Sequence, residues 1–419
     1  MVSEQTSKSY LPDDIEKAIK DTKQLWRERI GDVPALLESI VAGLERNIQA
    51  IEQDIQNGNT GWPEANYEDI AAGTVSADVM AGVKQRGCLV VREHFPREQA
   101  VKWDKELVDY VESNDFDNQY RGPGDDFFGT LSASRPEIFP IYWSKPQMEA
   151  RLSSRMQDVQ VFLNSFWKTE SEGRKWFDPA CNYIYPDRVR RRPPGVTSGG
   201  LGPHTDSGAL ERWLLPAYQK VFRHILDGNF DKYDPWDAAW RPLVNEYEGG
   251  TTKCSAFRTF QGWTALSEIK RDQGVLFTIP VPAAMAYLLI RPLLDDVPED
   301  SLCGVSPRKV LPVDEKWHSL LLRAKATIPD MSPGDSVWWH CDVIHGVEPV
   351  ENQQGWGNVM YIPAAPGCEK NRLYAQRCAG DFKAGRSPDD FPEEHYEESW
   401  DNRVKWSDLS DADKKAFGE

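Results

Sequence analysis

The sequence predicts an α+β chain in which a helical first part leads into an antiparallel β-barrel or jelly roll. Apolar residues recur at three-to-four spacing over residues 13–57, and from Asn182 onward the texture changes to short β-like runs. Gly, Pro and Asp punctuate those runs.

The first helical stretch carries Ile15, Ala18 and Ile19, then Leu37, Ile40, Val41, Leu44, Ile48, Ile51 and Ile55, with charges between them. The Gly31-Asp32-Val33-Pro34 break divides it into two helices, expected to pack on the main domain. Residues 78–113 read as a helix, a strand at Gly87-Cys88-Leu89-Val90-Val91, and a second helix opened by Pro96-Arg97. Residues 147–167 are helical again and end in Phe162, Phe166 and Trp167. The β-like runs are 182–192, 257–267, 274–280, 335–341 and 358–363. Residues 210–250 read as an insertion of short, aromatic-rich helices, and the last fifty residues as a polar, loop-rich tail. The expected organisation is a helical extension over 1–60 and a jelly-roll domain over 61–419 that carries the insertion. No composition break marks a second independent domain.

Composition narrows the function classes. With 40% hydrophobic and 27% charged residues the chain is globular, not disordered. A net charge of -17 repels a phosphate backbone, which argues against a nucleic-acid polymer as partner. Seven cysteines without a C-x-x-C pair argue against a disulfide framework and a zinc ribbon. The polar start, MVSEQTSKSYLPDD, lacks the apolar stretch of a secretory signal, and no segment approaches the ~20 apolar residues of a membrane span. A cytoplasmic protein acting on a small molecule is the expectation. The oligomeric state is not legible.

The most informative segment is Gly202-Pro203-His204-Thr205-Asp206. On an extended strand, residues i and i+2 face one side, so this imidazole and carboxylate can meet one cation. A lone His-x-Asp arises often by chance. Here it follows a Gly/Pro-rich approach, and a Pro333-Gly334-Asp335 turn launches a strand toward His345, 141 residues further on. Two histidines and one carboxylate form the facial triad of non-haem iron(II), with positions left open for co-substrate and dioxygen. His340 competes for the distal role. It lies five residues from His345 and would face the opposite way on one strand, so it reads as a packed histidine. His94, His224, His318 and His395 lack ligand spacing.

Several stretches resemble the phytanoyl-CoA dioxygenase-like superfamily of iron(II) and 2-oxoglutarate oxygenases. They are residues 83–92 (VKQRGCLVVR), 203–206 (PHTD), 261–266 (QGWTAL), 273–280 (QGVLFTIP), and Gly334-Asp335 leading to His345-Gly346. Residues 185–195 (YPDRVRRRPPG) and 234–237 (DPWD) are closest to its YbiU-like branch. The resemblance spans roughly residues 60–400 by order of motifs. It implies a double-stranded β-helix, iron(II), 2-oxoglutarate as co-substrate and O2 as oxidant, with succinate released and an unactivated C–H bond attacked.

One departure bears on the co-substrate. The superfamily places an arginine about ten residues after the distal histidine to pair with the far carboxylate of 2-oxoglutarate. This chain has Gly355-Trp356-Gly357-Asn358 there, and the next basic residues are Lys370 and Arg372. Candidates for a displaced anchor are Arg258, expected on the Trp263 strand, and the alternating row Arg188, Arg190 and Arg192. Trp213, Trp263 and Tyr185 are candidate pocket residues. The function expected is hydroxylation of a small polar, anionic metabolite such as a nucleotide, a sugar acid or an amino-acid derivative. A cupin-type isomerase or lyase and a non-catalytic sensor on an oxygenase fold are the alternatives; the former more commonly uses three histidines and a carboxylate.

Overall fold

The structure, a computed structural model, describes residues 11–121, 137–206, 208–244, 255–307 and 309–419. Ser207, Cys254 and the end of the 210–250 stretch lie outside the described residues. The first helical stretch forms α1 (Ile15–Ile30) and α2 (Val33–Gln56). Asp14 and Asp32 cap their N-termini by accepting from the Lys17 and Ala35 backbone N–H groups, and Pro34 sits in the first turn of α2, where its missing N–H costs nothing. Leu36, Ile40, Leu44, Ile48 and Ile51 form one buried stripe on α2. That stripe belongs to the same apolar cluster as both main sheets, so α2 walls the core rather than standing apart from it.

The strands of the two main sheets, in chain order, are β1 (Glu64–Asn66), β2 (Cys88–Arg92), β3 (Ile138–Phe139), β4 (Val189–Arg190), β5 (Leu201–Thr205), β6 (Phe260–Ala265), β7 (Leu276–Ile279), β8 (Leu311–Pro312), β9 (Ala326–Thr327), β10 (Ser336–His340), β11 (Ile344–Val347) and β12 (Val359–Ala364). A seven-stranded sheet runs β1-β2-β10-β6-β12-β4-β3, and a five-stranded sheet runs β8-β5-β11-β7-β9. Neighbours are antiparallel except the parallel β1/β2 pair. The mixed α+β class read from the sequence is what the structure shows.

The seven-stranded sheet is a middle layer. On β10, Val337 and Trp339 join the cluster holding Leu276, Ile279 and Ile344 of the other sheet, whereas Trp338 joins a second cluster. That second cluster contains Trp103 and Leu107 of helix Arg97–Ser113 and Val159 and Leu163 of helix Ser154–Asn164. The same two-residue alternation sends Trp263 and Ala265 of β6 one way and Phe260 the other. Because both faces are covered, all six residues of β6 are buried, and its sequence shows no polar face. Gly262 in its middle is required by close packing, since a Cβ there would stand 2.3 Å from the Val337 carbonyl oxygen.

Three expectations need correction. Residues 182–192 do not form one strand; the regular part is Val189–Arg190, and Pro186, Pro193 and Pro194 on either side have no N–H for a ladder. The helix expected over 147–167 is two, Lys145–Leu152 and Ser154–Asn164, with the Ser153 side chain capping the second. The tail is not loop-rich throughout. Glu369–Ala384 is a 16-residue helix whose Tyr374, Ala375, Cys378, Ala379 and Phe382 form a buried stripe obscured in the sequence by interleaved charges. Among the described residues, no helix is long and apolar enough to cross a membrane.

Candidate metal centre

The ladder of the five-stranded sheet sets His204 and His345 side by side. His204 on β5 is the Cα partner of His345 on β11, and their ring centroids are 4.5 Å apart. Asp206 lies immediately beyond the end of β5, not inside the strand as the i, i+2 argument supposed, but its carboxylate still meets both rings. Its Oδ1 is 3.5 Å from His204 Nε2, and its Oδ2 is 3.7 Å from His345 Nε2. Potential ligand atoms of all three residues lie within 4.8 Å of one another. The β11/β5 register shifts between His345 and Val347, an irregularity of the kind that re-aims a side chain at a sheet end. Gly346 occupies this shift because a Cβ would meet Phe277 Cζ at 2.5 Å and the Leu201 carbonyl oxygen at 2.6 Å.

Backbone carbonyls fix how the two rings point. His204 Nδ1 is 2.7 Å from the Gly202 carbonyl oxygen, and His345 Nδ1 is 3.2 Å from that of Val343. A carbonyl can only accept, so both Nδ1 atoms carry a proton and both Nε2 atoms face Asp206. Burial, reinforced by neighbouring His204, lowers the His345 imidazole to about 4, so it is neutral near pH 7. Burial alone would raise the Asp206 carboxyl, but His345, His204 and the Arg258 charge outweigh it and hold the acid well below its ordinary range. Two imidazole Nε2 atoms and a carboxylate therefore converge on one point, a ligand set that a divalent cation satisfies.

Around this point, several buried polar groups lack partners among the described residues. Thr278 on β7 pairs with His345, and its Oγ1 has no hydrogen bond to any of them. The Trp339 ring lies 5.1 Å from the His345 ring, and its indole N–H finds no acceptor among them. Gln261 on β6, the Cα partner of Trp339, is 7% exposed and faces the same side. The sequence reading missed Gln261, Thr278 and Trp339 as lining residues; their signal was parity with His345 across the ladders, which needs the register to be seen.

His340 occupies the other face. It is fully buried, stacks on Trp167 at 4.5 Å, sets its Nε2 3.1 Å from the Pro235 carbonyl and accepts the Asp342 backbone N–H at Nδ1. Asp342 is held by Arg241 at 2.6 Å and lies 3.8 Å from Arg212. Cys341 completes a second grouping that could hold a metal. Burial pushes its thiol up to about 12, however, and the ring nitrogens beside it already have partners. Arg212 links the two regions, because it also donates to the Asp206 backbone carbonyl at 2.8 Å. Neither Arg212 nor Asp342 was singled out in the sequence.

The candidate anchors separate by environment. Arg258 precedes β6, which begins at Phe260, so it is not on the strand expected for it. Its guanidinium lies 4.9 Å from the Tyr185 ring centroid, and its charge acts on both Asp206 and His345. Arg192 donates to the carbonyls of Gln273 and Gly274 at 2.8 and 2.6 Å. Arg188 lies 3.6 Å from Asp187 and 4.8 Å from the Phe391 ring. Arg190 is on β4 and buried. Arg372 pairs with Glu369 at 2.7 Å on the surface. Trp213 is a core residue whose indole donates to the Leu289 carbonyl; Trp263 lies in the shared core, and the Tyr185 hydroxyl donates to Asp390.

Comparison with known proteins places this arrangement among relatives of nearly equal length. A family model described as Gig2-like matches residues 13–419. The uncharacterized protein YbiU of Escherichia coli (strain K12) is 56% identical over 409 residues, 97% of either chain. A solved structure from Salmonella typhimurium LT2, provisionally named an oxidoreductase, is 56% identical with a TM-score of 0.94 over 99% of each chain. GIG2 of Candida albicans is 26% identical with a TM-score of 0.80, covering 97% of this chain and 90% of that one.

Proposed function

The chain belongs to the Gig2-like family, and we propose that it is an iron(II)- and 2-oxoglutarate-dependent oxygenase, most simply a hydroxylase, acting on a small polar, anionic metabolite. The observation that carries this reading is the convergence of His204 Nε2, His345 Nε2 and Asp206 with both Nδ1 protons turned outward to carbonyls.

The donor set fits the ion. Ligands about 2.1 Å from one metal and at right angles stand about 3.0 Å apart. The separations of 3.5 and 3.7 Å reach that value by small side-chain movements. One carboxylate and two imidazoles on one side leave the opposite side for co-substrate and dioxygen, as in two-histidine-one-carboxylate sites. We read the two sheets as the walls of a double-stranded β-helix, with residues 1–60 as a helical extension and 210–250 as an insertion.

Iron chelated by 2-oxoglutarate supplies oxidation of a substrate C–H bond by dioxygen, with succinate and carbon dioxide as co-products. The chain's residues bind and orient. Asp206 stays anionic and His345 neutral near pH 7, which keeps both ready to ligate. Arg258 is the anchor for the far carboxylate of 2-oxoglutarate, since its charge acts on the triad and a guanidinium fork holds a carboxylate bidentately. Trp339, Thr278 and Gln261 line the approach, and the apolar wall around them limits water.

The test is anaerobic titration of the purified chain with iron(II) and then 2-oxoglutarate, followed by succinate measurement in air. Stoichiometric metal, a visible charge-transfer band on adding 2-oxoglutarate and slow succinate release are expected. Failure of iron to bind would remove the reading; binding of both without succinate release under any substrate would leave a sensor instead.

A further inference from the structure

A second basic group faces the shared core away from the triad. Arg190 on β4 is the Cα partner of Val359 on β12, and Val359 is the partner of Ala265 on β6. Val359 and Ala265 both belong to the core cluster between the two sheets, so strand parity turns Arg190 to that same side. Tyr361 lies on this face as well, its backbone N–H donating to the Arg188 carbonyl.

The neighbouring arginines are already engaged. Arg191 faces away, 3.5 Å from Asp104 and over the Trp356 ring, and Arg192 is fixed on the Gln273 and Gly274 carbonyls. All three leave a buried Nε unmatched, but Arg190 differs: it is 8% exposed, and among the described residues its side chain has neither a hydrogen bond nor an ion pair. Its charge adds to that of Arg192, whose guanidinium burial lowers to about 10 with Arg190 as the next cause. Glu137 is the acid that feels both: burial pushes its carboxyl up while Arg192 and Arg190 draw it down, and it makes no ion pair with Arg190 among the described residues. A largely buried guanidinium with no acceptor among the described residues is costly, which suits this position to receive an anion.

The two cations also act in different places. Arg258 acts on Asp206, His345 and Cys341, whereas Arg190 acts on Glu137, Arg192 and Tyr361. A single small dicarboxylate chelating at the triad uses the first. The second remains for a different ligand.

We propose that Arg190, with the Tyr361 hydroxyl beside it, binds the oxyanion of the substrate, a carboxylate, sulfate or phosphate group, and leaves Arg258 to the co-substrate. The anion site stands on Arg190 alone; calling it a substrate site rests on the oxygenase reading. It makes the substrate bifunctional, an anionic head held at β4 and an oxidisable carbon carried toward His345.

The experiment titrates the full-length chain, with and without iron(II), with inorganic phosphate, sulfate and acetate by calorimetry, and separately with 2-oxoglutarate. Saturable binding of at least one oxyanion is expected in the unaltered chain, and the preferred one names the head group. Arg190→Gln should weaken that binding at least ~10-fold, and Arg190→Lys, which keeps the charge and the fold, should weaken it less. Both should keep 2-oxoglutarate affinity within about twofold when iron is present, while Arg258→Gln should show the reverse pattern. Equal oxyanion binding by unaltered and Arg190→Lys chains with no loss in Arg190→Gln overturns the proposal, as does absence of oxyanion binding in the unaltered chain. Loss of 2-oxoglutarate binding in Arg190→Lys also overturns it, by making Arg190 the co-substrate anchor. If oxyanion binding follows Arg190 but iron and 2-oxoglutarate do not bind at all, the anion site stands and the oxygenase reading falls.

Discussion

Two histidine–aspartate clusters flank one short turn of chain, and they use their polar atoms in opposite ways. On one side, His340 uses both ring nitrogens on backbone groups, and Asp342 has Arg241 and Arg212 beside it. On the other, His204 and His345 set Nδ1 on backbone carbonyls, and both turn Nε2 toward Asp206. Composition alone does not separate them. What separates them is where the polar atoms point: a cluster whose acceptors are matched by donors holds the fold, and a cluster of converging ligand atoms is one that could hold a cation.

The sharpest difference should appear in stability. Asp342→Ala strands two buried guanidinium groups, and breaking such a pair typically costs about 3–5 kcal/mol. Chemical denaturation of the metal-free chain should show that loss, whereas Asp206→Ala should cost less, because the two imidazoles beside it keep their backbone partners. The reverse ranking would break the comparison.

Ligand affinity comes next. Arg258→Ala should weaken 2-oxoglutarate at least ~30-fold, about 2 kcal/mol, while iron binding survives. Equilibrium binding with iron present measures it, and unchanged affinity would move the anchor elsewhere. Arg212→Met should then lower iron affinity by about tenfold without removing any ligand, since Arg212 holds the Asp206 backbone carbonyl. Competition with a chelator reads this, and no change would uncouple the two clusters.

The last effect is in pH. Burial lowers His340 to about 3 from an ordinary 6.5, and lowers His94 to about 3 and His318 to about 4. The folded chain then binds fewer protons than the unfolded chain below pH 6.5, so stability is full above that value and falls as pH drops toward 3–4. Denaturation midpoints between pH 5 and 8 should show the onset of the fall, and His340→Gln should make the slope shallower.

Much of this was legible in the sequence for a physical reason. The clustering of His204, Asp206 and His345 was legible because the i, i+2 spacing and the Gly-Asp turn are local signals, although Asp206 lies just past the strand end. The helix break at Gly31 to Pro34 was legible for the same reason. The row Arg188, Arg190 and Arg192 could be singled out, but only Arg190 lies on a strand, and which one is engaged was hidden because Arg192 meets carbonyls 81 and 82 residues away. The Asp342–Arg241–Arg212 group was invisible for that reason, its members being joined only by the folded ladder. Helix Glu369–Ala384 was missed because its apolar stripe is small-residue and interleaved with charges, so a composition-based reading counted it as polar.

Metal analysis of four purified, folded variants bears on the central claim most directly. His204→Ala, Asp206→Ala and His345→Ala should each lose stoichiometric iron(II), whereas His340→Ala should keep it despite being less stable. Full iron retention in folded His345→Ala, or loss of iron in folded His340→Ala, would contradict the account.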